Sequence, residues 1–402
     1  IDGYAHPAKL KLINNFTELE NLANNEIGGI ITIEGAHALA KYNKDDLFES
    51  RNIDALDNAA KAALKGSFIN NIQKIKDLDY PPFFITFSHH FNNLLSGHSK
   101  SFKDARNKIL PGFSNVFDQR KGLNDGFTEF GKDLIRDHLL AKTNGKRRIL
   151  IDTKHMSLKC RDEYFQIVKN HPDNIPIICS HTAINGISNR AEAARRKDTN
   201  KLDHRSYVSR WDINITDEDI TDIFDTDGII GICMHDGRMP GGKFNKLVKQ
   251  QSNQGNSVRV QRLHTQMFLT NVFHVVRINL EHIEKLNNGN PNPIDPKEAW
   301  KTVCLGTDFD GIIDPFDHFN TSATLSRFKA RCKDAIRFNF SPIDERKRAR
   351  IRYVGEYNSK PMGKREFEKL LMGYNPEEIV DMVFYDNLSD FCQKYFNDAY
   401  LS

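Results

Sequence analysis

Five short apolar runs in this chain each end in a residue type that binds metals. They are Ile31-Thr32-Ile33-Glu34-Gly35, Ile85-Thr86-Phe87-Ser88-His89, Ile149-Leu150-Ile151-Asp152-Thr153-Lys154-His155, Ile177-Ile178-Cys179-Ser180-His181 and Val303-Cys304-Leu305-Gly306-Thr307-Asp308. A short apolar run bounded by turn residues reads as a buried strand. When several parallel strands each place a His, Asp or Glu at the C-terminal end, those side chains converge on one face of a barrel. Convergent imidazoles and carboxylates are what a divalent metal requires.

The strand expectations are Ile1–His6, Gly28–Glu34, Phe83–His89, Arg148–Asp152, Ile175–His181, Gly228–Met234 and Thr302–Asp308. Helical patterns lie between them at Asp54–Ile75, Phe127–Ala141, Asp162–Lys169, Asp217–Phe224 and Val258–Leu286. Strands separated by helices pair in parallel through crossovers. For 402 residues the natural closed form is an α/β fold, a (β/α)8 TIM-type barrel in one domain over residues 1–402, with seven of its eight strands legible. Asn287–Pro296 is a turn-rich loop, and 189–205 and 341–364 read as polar insertions above the barrel. The tail Phe367–Phe396 reads as C-terminal helices, with Asn375-Pro376-Glu377-Glu378 as the cap of the last.

Bulk properties exclude several classes. A net charge of +4 is small for this length and implies no nucleic-acid partner. The densest basic run, Arg346 to Arg352, follows Asp344 and Glu345 and reads as a solvated helix face. No apolar run reaches the ~18 residues of a membrane span. The six cysteines form no CxxC pair, and Cys179, Cys233 and Cys304 sit in apolar runs as small core residues. The chain opens at Ile1, not Met, so a processed or truncated N-terminus is expected. A cytoplasmic and an exported location both stay open, as does a homodimer.

Within the convergent set, His155 and His181 end consecutive strands and could share one zinc ion as neutral imidazoles. Glu34 could bridge two metals through its two oxygens. Asp308 could take a proton from a metal-bound water, whose pKa falls towards ~7. His89 could donate to the oxyanion that develops during attack on an amide. Taken singly, a strand-end histidine is more often a satisfied or solvated residue than a ligand, and His37, His90 and His98 could each serve local backbone groups.

Glu34-Gly35-Ala36-His37, Thr86-Phe87-Ser88-His89, Asp152 through Ser157, Ser180-His181-Thr182-Ala183 and Gly306 through Gly311 resemble, in order, the motifs of the membrane (renal) dipeptidase family, peptidase family M19 of the amidohydrolase superfamily. Gly122 to Gly131 and Gly373 to Leu388 extend the resemblance. It implies hydrolysis of dipeptides with two zinc ions in a (β/α)8 barrel. It also implies that Glu34 bridges the metals, His155 and His181 hold one of them, Asp308 carries the proton and His89 polarises the scissile carbonyl. An arginine after the second ligand histidine would hold the substrate carboxylate; Arg210 is the nearest candidate and Arg190 competes.

One departure stands out. The family's first strand ends in His-x-Asp, whereas this chain has Tyr4-Ala5-His6. His6 occupies the second ligand position and Tyr4 the first. A phenol with pKa near ~10 is a poor ligand unless the metal deprotonates it. The expectation is one tight zinc site and a second weakened by Tyr4. The reading is a metal-dependent hydrolase of a dipeptide or related small molecule. Two rivals remain: a hydrolase of the same fold acting on another amide, lactone or ester, and a degenerate barrel that binds without turnover.

Overall fold

The computed structural model describes residues 8–42, 50–101, 119–142, 146–196, 206–311, 313–347, 349–355 and 358–402. The expected first strand, with Tyr4 and His6, lies outside them. Two compact units result, one comprising the chain up to Ile178 together with Asp390–Ser402, the other Cys179–Ser389.

In the first unit β1 (Lys9–Leu12) and β2 (Glu26–Gly29) form a separate parallel pair. The run expected as one strand, Gly28–Glu34, is therefore divided: its glycines belong to β2 and only Ile33–Glu34 form β3. The reason is local packing. Gly28 has no side chain to insert into a main sheet, and Leu22, Ile13 and Leu19 close to 3.0–3.1 Å of where its Cβ would stand. β3 pairs in parallel with β4 (Phe84–Thr86), and β4 with β5 (Leu150–Asp152). Ile85, Leu150 and Ile151 are fully buried, as continuous apolar strands of parallel sheets are. Two crossover helices lie where expected and end within a residue of the expected position, one starting later and the other earlier than read from sequence. Asn58–Lys76 starts on the side chain of Asp57, and Leu158–Lys169 on that of Ser157. The pattern at Phe127–Ala141 becomes an α-turn, Glu129–Asp133, running into a π-helix, Leu134–Leu139, with Phe130, Leu134 and Leu139 buried.

The chain enters the second unit within β6 (Ile178–Thr182), whose first residue pairs with Asp152. There β7 (Ile229–Ile232) lies between β6 and β8 (Val303–Leu305), parallel to β8 in the register Ile230↔Val303 to Ile232↔Leu305. Glycine is required at two of these positions. A Cβ on Gly231 would stand 2.0 Å from the Ser180 carbonyl oxygen, and one on Gly306 2.1 Å from it. The helix Ser257–Asn287 is buried on nearly all sides from Leu263 to Leu280, as a helix at the centre of a unit must be. Its Asn279 amide donates to Ala299 O and Thr302 Oγ1, and its Phe273 packs on Trp300 and Phe367.

Two insertions differ from expectation. The polar stretch after Asn189 is not simply exposed: Asn189 caps a helix, Arg190–Arg195, and Arg190 is buried against Asp219 and Asp222 at 2.9 and 2.7 Å. Its later residues, 197–205, lie outside the described ones. The basic run is helical only to Lys347; Arg352 opens β9 (Arg352–Val354), which pairs antiparallel with β10 (Ser359–Pro361). The Arg352 guanidinium lies 4.2 Å from the Tyr207 ring and donates to Ser359 O. The Asn375 capping box is present as expected. All six cysteines are buried, and burial pushes Cys160 up to about 12, which removes thiolate reactivity. Among the described residues no helix is long and apolar enough to cross a membrane.

Candidate metal centre

The register of the first unit sets its chemistry. Pairing Glu34 with Thr86 and Thr86 with Asp152 brings the ends of β3, β4 and β5 to one level, so the loops that follow start together. Gly35 turns the chain at φ 105°; a Cβ there would meet the His37 ring at 2.2 Å. After β4 the loop is held by its own side chains. Asn93 donates to Phe87 O and accepts from Leu95 and Ser96 N–H, while Ser88 donates to Gly97 O. Asp152 is fully buried and serves structure: it accepts from Thr86 Oγ1 at 2.6 Å and from Lys154 N–H at 3.0 Å. That turn places His155 at φ 67°, in the left-handed region that Asn, Asp and His enter more readily than other side chains.

Three of the site residues read from sequence meet here. Glu34 Oε1 lies 3.4 Å from His89 Nε2 and 3.4 Å from His155 Nε2. A direct charge-assisted hydrogen bond would be ~2.7–2.9 Å. Zinc bonds of ~2.0–2.1 Å in a tetrahedron give ligand-to-ligand edges of ~3.3–3.4 Å, the observed spacing. His155 Nδ1 lies 3.3 Å from Ser101 Oγ, a contact that fixes the ring and leaves Nε2 towards Glu34. The donor set thus suits a borderline divalent metal.

Other histidines surround this group. His37 stacks on His89 at 5.9 Å and touches Phe91. Burial pulls its pKa down to about 4, with His89 adding to the effect and Glu34 opposing it, so His37 is neutral at ordinary pH. His98 is taken up by backbone carbonyls, Lys121 O at 3.0 Å and Ser99 O at 3.2 Å, and is no part of the group. His90 packs its ring 3.8 Å from His89 and 4.6 Å from His155. The spacing of the strand ends points to His89 and His155 but carries no sign of Ser101, which comes from a distant loop.

In the second unit His181 and Asp308 come together, Nε2 to Oδ2 at 3.8 Å. Ser180 Oγ and His181 Nδ1 are 2.9 Å apart. Asp308 and Asp310 adopt φ 60° and 64°, both left-handed, in the turn that follows β8. Arg210 is buried in the same unit, on a segment tied by Asn214, whose amide donates to Ser209 O and Arg238 O. Arg190 is engaged by the acidic pair described above and lies outside any such role. His6 lies outside the described residues.

No family model matches the sequence, and no curated protein matches it. Among solved structures the chain is similar to dipeptidase AC, a metallopeptidase of family M19, at 12% identity and TM-score 0.44, over 96% of this chain and 72% of that one. It is also similar to an amidohydrolase from Pseudomonas aeruginosa, at 13% identity and TM-score 0.40, over 96% and 79%. A third is a metallopeptidase from Rhodobacter sphaeroides bound to a phosphinate mimic of the dipeptide L-Ala-D-Ala, at 13% identity and TM-score 0.41, over 96% and 69%.

Proposed function

We propose that this chain is a metal-dependent hydrolase of the amidohydrolase type, built as a (β/α)8 barrel over residues 1–402, that cleaves a dipeptide or related small amide. The observation that carries the reading is the Glu34 carboxylate set at zinc-shell distance, 3.4 Å, from the His155 imidazole, with the His89 imidazole beside the same oxygen. In this reading Glu34, His155 and His181 hold zinc, and His6 would help to hold a second, weaker ion beside Tyr4. A zinc ion held there would supply a coordinated water of pKa near ~7 and a Lewis acid for a carbonyl.

The chain's own groups do the rest. Asp308 takes the proton released on attack and returns it to the leaving amine. His89 faces the same carboxylate as His155 and would donate to the oxygen that gains charge. Arg210 would hold the substrate carboxylate. Ser209 Oγ and Trp211 Nε1 flank it in sequence and are buried without a hydrogen-bond partner among the described residues; a carboxylate would satisfy such donors.

The test is hydrolysis of a dipeptide panel by zinc-reconstituted protein and by its Glu34→Gln variant. Measurable turnover by the first and a loss of ~10²-fold or more in the second is the expected result. Equal turnover in both would overturn the assignment of Glu34.

A further inference from the structure

The basic run that begins at Arg346 serves none of the proposed catalytic roles, yet it is more than a solvated helix face. In the second unit Arg346 stands with Arg262 and Arg331 around one small cleft. Arg262 comes from the helix Ser257–Asn287, Arg331 from the helix Leu325–Arg337 and Arg346 from the short helix Asp344–Lys347. Arg331, Asp334 and Phe338 recur at helical spacing and line the cleft together. Among the described lining residues, three guanidinium groups stand against one carboxylate, Asp334. No ion pair joins Asp334 to Arg331 or Arg346, so positive charge is left over. The Arg346 guanidinium lies over the Phe338 ring, 4.1 Å from its centroid, which orients its planar fork. Asn339 lines the same cleft and is only 4% exposed. Its Oδ1 accepts from Ile351 N–H at 2.9 Å, which assigns the two ends of the amide. Nδ2 is left buried with no hydrogen-bond partner among the described residues. Such a donor calls for an acceptor from outside the chain. The cleft measures about 60 Å³. At ~10–15 Å³ for each water it could seat, that is room for a few waters, the bulk of one small oxyanion. Asp334 and Phe338 are exposed, so the cleft is open to solvent.

We propose that this cleft binds a small tetrahedral oxyanion, either inorganic phosphate or the phosphate group of a monoester. Arg331, Arg346 and the Asn339 amide would donate to it, and Arg262 would add charge. A guanidinium fork matches phosphate oxygens two at a time. A carboxylate offers two oxygens and a single charge to these four donor groups. A phosphate monoester offers three terminal oxygens and nearly two charges, which suits the set better. The inference concerns the second unit alone and goes beyond the hydrolase reading without depending on it.

The experiment titrates full-length protein with sodium phosphate and, separately, with phenyl phosphate by calorimetry at low, fixed ionic strength. Thermal melts establish that each variant folds. Saturable binding of one anion per chain is expected. Arg331→Gln and Arg346→Gln should each weaken it at least ~10-fold. Asn339→Asp keeps the acceptor for Ile351 N–H but puts a carboxylate in place of the donor, and should abolish binding. Arg337 pairs with Glu377 and does not line the cleft. Arg337→Gln removes the same charge and should leave affinity within ~2-fold, since exposed charges are screened. If a Gln variant fails to fold, the matching Lys variant keeps the charge without the fork and should still lose affinity several-fold. Phenyl phosphate bound as tightly as phosphate would assign the site to the phosphate group of a larger ligand; a preference for inorganic phosphate would assign it to the free anion. No saturable binding of either anion would overturn the proposal. An equal loss in the Arg337 and Arg331 variants would overturn it too, as an effect of net charge. Binding that Arg331→Gln and Arg346→Gln leave unchanged would place the anion elsewhere, also against the proposal, with the hydrolase reading intact.

Discussion

Asp308 combines an uncommon backbone conformation with a place beside His181, and the two facts suggest a clean substitution. Asn tolerates the left-handed region nearly as well as Asp, so Asp308→Asn should keep the turn at φ 60° while removing the proton acceptor. Under the proposed role kcat falls by ~10²-fold or more with a smaller change in KM. Steady-state kinetics on any substrate that is found reads this directly; an unchanged kcat contradicts the role. At this scale the strand-end histidines and carboxylates were legible because each follows a short apolar run in sequence. Ser101 and His90 were not, because their proximity to His155 depends on loop paths that no periodicity encodes. Arg190 looked like a substrate arginine until its burial against Asp219 and Asp222 gave it a structural purpose.

Among the elements, the helix Asn58–Lys76 ends on a buried ammonium. Lys76 Nζ donates to Ala141 O at 2.9 Å, and burial pulls its pKa down to about 8, with Arg148 and Lys146 adding to the effect. Below pH 8 the folded chain must keep this charge buried, and the cost is fully present. Between pH 8 and the unfolded value of 10.5 the folded chain releases the proton first, so stability rises with pH across that window. Lys76→Met should therefore gain most relative to the unmodified protein below pH 8, by at most about 3 kcal/mol, and the gain should shrink towards pH 10.5. Denaturation midpoints at pH 7 and 10 compare the two; a pH-independent difference would refute it. In the second unit Asn387 is buried and its amide donates to Trp300 O and Val303 O, both at 2.7 Å. Asn387→Ala leaves two buried carbonyls short of a donor and opens a small void, costing about 2–4 kcal/mol by denaturant melt. A loss under 0.5 kcal/mol would show that these bonds are replaceable. The helix Asp217–Asp225, capped by Thr216, was readable from sequence, whereas the short helix capped by Asn189 was not. The division of residues 26–34 between two sheets was not, since it depends on β1 as a partner for two glycines.

For the molecule as a whole, the alternation of short parallel strands and helices was legible because buried parallel strands are continuous apolar runs set between longer, more polar stretches. The proposed function requires that the histidines and Glu34 gathered at the ends of β3, β4 and β5 hold a divalent metal. Elemental analysis of full-length protein purified without added metal, before and after dialysis against zinc and then against metal-free buffer, tests this most directly. At least one tightly held zinc-class ion per chain is expected, lost in His155→Ala, with a thermal midpoint that rises on zinc loading. A folded protein that holds no ion before or after zinc dialysis would contradict it.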